Sequence, residues 1–146
     1  MSKDSKPVEY QITLTENQLR VAQRALEWFF RLQLGQFSDF ADEIALDGYV
    51  FDKDNPNNGE LFRRYITRRN DCVPLMETAY RIAQPEPCWK TEDMMVAEDM
   101  WAVIRHFRWN EQEHPKNLYT PDSRPPFIES KEPPITINKK ESRGNE

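Results

Sequence analysis

Val8-Glu9-Tyr10-Gln11-Ile12-Thr13-Leu14-Thr15-Glu16-Asn17-Gln18-Leu19 carries two structural signals in succession. Residues 8–14 alternate apolar and polar, with Val8, Tyr10, Ile12 and Leu14 on one face, which predicts a half-buried strand. Thr15 stops it. Thr15-Glu16-Asn17-Gln18 has the form of a capping box, in which the Thr15 hydroxyl accepts the Gln18 backbone N–H and the Gln18 side chain accepts the Thr15 N–H. Leu14 before the cap and Leu19 in the first turn form the matching hydrophobic staple. From Leu19 on, Ala22, Leu26, Phe29, Phe30, Gln33, Phe37, Phe40, Ala41 and Ile44 recur at steps of three and four over roughly seven turns. Gly35 is a residue type that commonly follows a helix end. The apolar phase nevertheless continues past it, so the spacing predicts one long helix through Gly35, with the glycine admitting a neighbouring backbone.

Beyond Ile44 the helical spacing breaks. Asp47-Gly48 is a turn dipeptide, and Tyr49-Val50-Phe51 is a β-prone run able to pair with residues 8–14 in a small two-stranded sheet. Asp54-Asn55-Pro56-Asn57-Asn58-Gly59 reads as a loop. Residues 60–70 predict a second helix, with Leu61, Phe62, Tyr65 and Ile66 on one side. Asp71 then caps a third, with Pro74 in the first turn, where a helix tolerates proline. Pro85 and Pro87 end that helix. Thr91 opens the last one, with Glu92 and Asp93 where the helix dipole favours negative charge, and Pro115 sets its stop near His114.

The whole predicts a mainly α protein of about four helices with a short N-terminal strand and a Pro-rich C-terminal tail. Residues 1–7 are expected to be disordered, 8–114 to form a single helical domain, and 115–146 to be an extended or disordered tail. Phe127-Ile128 and Ile135-Thr136-Ile137 are the apolar points of that tail, available to dock on the body or a partner. A polar tail of this kind is expected to add little to the melting temperature.

At 146 residues the chain suits one core. Its 4 Trp, 5 Tyr and 8 Phe supply apolar bodies that disordered chains lack. No run is long and apolar enough to span a bilayer, and residues 1–6 lack the hydrophobic region of a signal peptide, which predicts a cytoplasmic protein. Cys72 and Cys88 then read as reduced thiols, and their spacing with His106 and His114 matches no usual zinc pattern. The scattered Gly35, Gly48, Gly59 and Gly144 cannot make a phosphate-cradling loop, and no serine sits in a nucleophile elbow. Glu111-Gln112-Glu113-His114 has one Glu-x-x-His, where di-iron bundles need two and further glutamates. No cofactor, metal site or catalytic residue is expected.

Leu14-Thr15-Glu16-Asn17-Gln18, Gly35-Gln36-Phe37 and Val103-Ile104-Arg105-His106 together resemble small helical proteins encoded by bacteriophages and prophages. The resemblance spans roughly residues 10–114 and implies an accessory role in the cytoplasm of an infected host cell. It brings no catalytic residues.

Arg63, Arg64, Arg68 and Arg69, with no acid among them, form the strongest local functional signal, able to fork phosphate or carboxylate oxygens. Pairing with the acidic corner of Asp39, Asp42, Glu43, Asp47, Asp52 and Asp54 is the alternative. Arg105, His106, Phe127 and Ile128 are secondary candidates. The expected function is a non-enzymatic accessory protein that binds and modulates a host or phage protein. A nucleic-acid-binding module on the arginine helix comes second. A metal-dependent nucleotide hydrolase using Asp39, Asp42, Glu43, Glu98 and Asp99 comes third.

Overall fold

The computed structural model describes residues 8–45, 54–86, 89–114 and 120–140. Among them are four α-helices and no strand: α1 (Glu16–Gln33), α2 (Ser38–Ala45), α3 (Asn58–Ala83) and α4 (Glu92–Asn110), followed by a 3₁₀ turn at Pro121–Ser123. No helix among the described residues is long and apolar enough to cross a membrane.

The capping box at Thr15 forms as read, with Gln18 N to Thr15 Oγ1 at 3.2 Å and Thr15 N to Gln18 Oε1 at 2.8 Å. Thr91 does the same for α4, accepting the Met94 N–H at 3.3 Å. The strand expected ahead of Thr15 does not form. Residues 8–14 run without helix or strand, and Val8, Tyr10 and Ile12 stand 77%, 85% and 77% exposed. A strand needs a paired edge, and the proposed mate, Tyr49-Val50-Phe51, lies outside the described residues, as do residues 1–7.

Gly35 ends the first helix, contrary to the single long helix expected. Its φ is +72°, in the left-handed region that favours glycine. Gly35 N–H donates to Leu32 O at 3.1 Å and Gln36 N–H to Arg31 O at 2.9 Å, the paired bonds of a Schellman motif. The apolar phase survives the break because Phe37 and Ala41 are buried on their own account where α2 turns back on α1 and meets α3. Trp28 and Phe40 meet edge to face at 5.5 Å, Arg31 pairs with Asp39 at 2.8 Å, and Arg24 pairs with Glu43. Nor does Gly35 admit a backbone. A Cβ there would lie 2.9 Å from the Tyr80 ring, whose hydroxyl donates to Gln33 O at 2.7 Å.

The two helices expected on either side of Asp71 are one. Pro74 has no N–H for the Asn70 carbonyl, and such an interior proline costs about 3 kcal/mol. Two features let α3 run through it. Pro74 and Asn70 are both on the exposed side, so the freed carbonyl is open to solvent. Tyr65 and Arg69 before the proline are held on α2, and Tyr80 after it is held at the end of α1, so both halves stay on one axis.

α4 is the helix that the others cover. Its buried residues, Met94, Ala97, Asp99, Ala102 and Ile104, spread over more than half of the helix circumference rather than along one narrow stripe, the pattern of a helix covered from more than one side. α1 covers one side through Phe30 on Trp101, with ring centroids 5.4 Å apart, and through Arg108, which bonds Glu16 and Gln23 at 2.8 Å each. The Pro-rich segment covers another. It runs without helix or strand beyond Ser123, and hydrogen bonds fix it to α4.

The attachment points on α4 are Glu92, Asp99 and His106, one residue every seven and therefore in line along the helix. Asp99, 5% exposed, accepts Glu129 N–H at 2.9 Å and Ser130 N–H at 2.8 Å. Glu92 accepts Lys131 N–H at 2.7 Å, and His106 Nδ1 donates to Asp122 O at 3.1 Å. Segment numbers rise as α4 numbers fall, so residues 122–131 run antiparallel to the helix. The chain then bends at 130–132 and returns, with Lys139 pairing with Glu111 at the far end of α4. Eight extended residues reach about 26 Å, and the helix from Glu92 to Glu111 rises about 28 Å, so the return is nearly taut. The segment is a strap around α4. α4 itself stops at Asn110, a few residues before the expected stop, and His114 folds back to stack on Trp109 at 3.4 Å.

Burial pushes the Asp99 carboxyl up, but hydrogen bonds from the Ser130 side chain and from the Glu129 and Ser130 backbones outweigh it. With the charge of Lys90 added, the group is held below its ordinary value of 3.8. A depressed folded value means that the stabilisation is complete above that ordinary value and is lost as pH falls through the lower folded one.

Two outcomes are expected. Gly35→Ala lowers stability by about 1–2 kcal/mol from the left-handed backbone alone, and more as Tyr80 is displaced, measured by chemical denaturation. Asp99→Asn turns one acceptor into a donor facing an N–H and lowers stability by about 1.5–3 kcal/mol. In the variant, amides of Glu129 and Ser130 lose their protection from exchange at neutral pH, whereas in the wild type protection persists at neutral pH and is lost only as pH falls through the depressed Asp99 value. Unchanged exchange in the variant would contradict the strap.

Candidate functional site

The four arginines of α3 divide between two faces because a helix turns 100° per residue. Arg69 lies one turn beyond Tyr65, on the side toward α2. Its Nε reaches Asp42 Oδ1 at 2.6 Å, and the Tyr65 hydroxyl donates to the same oxygen at 2.8 Å. That hydrogen bond, burial and the Asp42 charge hold the Tyr65 hydroxyl above its usual value, with Arg69 pulling the other way. Arg69 is therefore spent on the acidic corner and fixes the rotation of α3.

Arg63, Arg64 and Arg68 take the opposite face, with Glu60 and Thr67 between them, and together they line an open hollow of about 520 Å³. Arg64 pairs with Glu60, and Arg63 Nε donates to Gly59 O at 3.1 Å. Among the described residues neither Arg63 nor Arg68 forms an ion pair with a side chain. The guanidinium groups thus keep free donors toward solvent.

The same line continues past the arginines. Arg64, Arg68, Leu75 and Ile82 follow at steps of four, seven and seven, which keeps them along one side of α3. Leu75 is 71% exposed and Ile82 78%. α3 buries no residue completely, and its packing within the protein is on α2 with Tyr80 at the end of α1. This face is basic at its N-terminal half and apolar at its C-terminal half. The sequence groups the arginines but assigns Leu75 and Ile82 to the apolar face of a separate helix after Asp71; α3 instead leaves both mostly exposed, in line with Arg64 and Arg68.

The secondary candidates serve the strap. Arg105 lies 4.2 Å above the Trp101 ring, with Nε 3.1 Å from Asp122, and His106 bonds Asp122 O and Asn110. Phe127 is 80% exposed, and Ile128 is half-buried. The carboxylates weighed for a metal are each engaged elsewhere: Asp39 with Arg31, Asp42 with Arg69, Glu43 with Arg24, Glu98 with Lys90, and Asp99 with the strap. Among the described residues no three His, Cys, Asp or Glu side chains converge as a metal site.

The division predicts different consequences for neighbouring arginines. Arg69→Met should lower stability by about 1 kcal/mol, in the range of a part-exposed charged hydrogen bond, and a double-mutant cycle with Asp42→Asn should show coupling. Arg68→Met should leave the denaturation midpoint within error of wild type.

No family model matches the chain, and no curated protein or solved structure matches it either.

Proposed function

We propose that the protein is a non-enzymatic binding protein and that the outward face of α3 is its recognition surface. The partner is a protein that presents an amphipathic helix, acidic where it meets Arg64 and Arg68 and apolar where it meets Leu75 and Ile82. One observation carries this reading: two large aliphatic side chains stand mostly exposed in line with two arginines, on a helix held by its other side. Isolated exposed apolar residues are ordinary. A row of them in register with charge is what helix-to-helix recognition uses. The resemblance to phage-encoded proteins supplies the setting, an accessory protein that modulates a host or phage protein inside an infected cell.

The nucleic-acid reading rests on the same arginines and is less well supported by the face as a whole. A duplex needs cations along its contact line, whereas this line turns apolar after Arg68 and carries Glu60 against Arg64. The nucleotide hydrolase reading needs converging carboxylates, and Asp39, Asp42, Glu43 and Glu98 each face a separate cation while Asp99 is taken by the strap.

The test uses synthetic amphipathic helical peptides with an acidic half and a leucine half, made in both directions, and a duplex DNA of equal length as comparison. Fluorescence anisotropy at physiological salt should show binding of one peptide and not of the duplex. Leu75→Ser with Ile82→Ser should weaken it at least tenfold, about 1.4 kcal/mol, and Arg64→Glu with Arg68→Glu should abolish it, with helical content unchanged by circular dichroism. Binding of the duplex with a steep salt dependence would favour the nucleic-acid reading instead.

A further inference from the structure

Residues 8–14 place four apolar side chains on one face of a segment that has no place in the core. Val8, Tyr10 and Ile12 are each more than three-quarters exposed, and Leu14 is 46% exposed. Among the described residues no hydrogen bond ties the backbone of 8–14 to the rest of the protein. An extended run with free N–H and C=O groups and alternating apolar residues is a template for another strand.

The structure leaves room for one. Residues 10–16 form one wall of a groove of about 850 Å³ and residues 136–140 the other, over a floor that includes Leu19, Phe107 and Arg108. Residues 10–15 and 136–140 run without helix or strand, and the tail has its own alternation in Ile135 and Ile137.

The sequence of the arm identifies the occupant. Placed antiparallel against an identical copy with Gln11 opposite Gln11, it sets Tyr10 against Ile12 and Val8 against Leu14 on the apolar face. On the polar face Glu9 meets Thr13. No like charges face each other, and apolar residues pair only with apolar ones. A slip of one residue would set Tyr10 against Gln11 and bring polar residues onto the apolar face, which is how a half-buried strand fixes its register.

We infer that the protein forms a two-fold symmetric dimer in which residues 8–14 of each copy occupy the groove of the other. Each arm pairs along one edge with its counterpart and along the other with residues 136–138 of the second copy. The strand order is then tail, partner arm, arm, partner tail, a four-stranded sheet closed by symmetry. The period-two pattern of residues 8–14, which has no partner within the described residues of one chain, is satisfied between two. The α3 face takes no part in this, so the dimer and the partner-binding proposal stand or fall separately.

Sedimentation equilibrium of the full chain from micromolar to submillimolar concentration should show a dimer, and Ile12→Asp should return it to monomer without loss of helical content. Register is read by disulfide formation in a Cys72→Ser, Cys88→Ser background. Gln11→Cys should oxidise to a covalent dimer, Thr13→Cys alone should not, and a mixture of Glu9→Cys and Thr13→Cys should form the mixed dimer, since cysteines bridge only when their Cα atoms lie within about 7 Å. A monomer at every concentration, as pairing with Tyr49-Val50-Phe51 of the same chain would give, overturns the inference. So does a dimer that survives Ile12→Asp, or equal crosslinking at positions 11 and 13.

Discussion

The buried carboxylate of Asp99 is the constraint on which the described fold most depends. A charge taken out of water is strongly unfavourable unless its acceptor sites are filled, and on the middle of a helix the local backbone N–H groups are already in use. The two N–H groups that fill Asp99 come from Glu129 and Ser130, thirty residues on. Burying α4 and docking the strap are therefore one event. Without the strap, Asp99 must stay wet and α4 cannot be enclosed on that side. Lys90 strengthens the arrangement by bridging Glu98 and Glu129 at 2.7 and 2.9 Å, contacts that also raise its own proton affinity.

The prolines of the strap act in the same direction. Pro125, Pro126, Pro133 and Pro134 limit the conformations open to an undocked segment, so less entropy is lost when it lies along α4. A Pro-rich composition read as evidence of a free tail is here what makes a docked one inexpensive. Of the two apolar points anticipated there, Phe127 is mostly exposed and Ile128 half-buried, while hydrogen bonds from the backbone fix the strap in register on α4.

What the sequence made legible was local. Thr15 and Thr91 announce their helices through side-chain to backbone bonds made within four residues, and both caps are present. What it concealed was set by distant contacts. Gly35 ends α1 in a left-handed turn whose missing Cβ leaves room for the Tyr80 ring, forty-five residues on, and Pro74 fails to end a helix because Tyr65, Arg69 and Tyr80 hold both halves. Four helices were expected and four stand among the described residues, but the agreement in number comes from one helix gained at Gly35 and one lost at Asp71. The candidate site was half legible. The arginine cluster was plain, yet only the packing of α3 could separate Arg69 from Arg63, Arg64 and Arg68, and only exposure could add Leu75 and Ile82. Asp99 was visible as an acid among Met94, Ala97, Met100 and Trp101, but its role needs a partner thirty residues away.

Detachment of the strap has a further consequence. Peripheral segments of a domain open and reclose while the rest stays folded, and each opening of residues 122–131 uncovers the side of α4 that carries Asp99. Asp99, rehydrated and charged, then acts as a solubilising residue on a surface that would otherwise invite aggregation. The same side chain keeps the opened helix apart from other chains and fastens the segment that encloses it again.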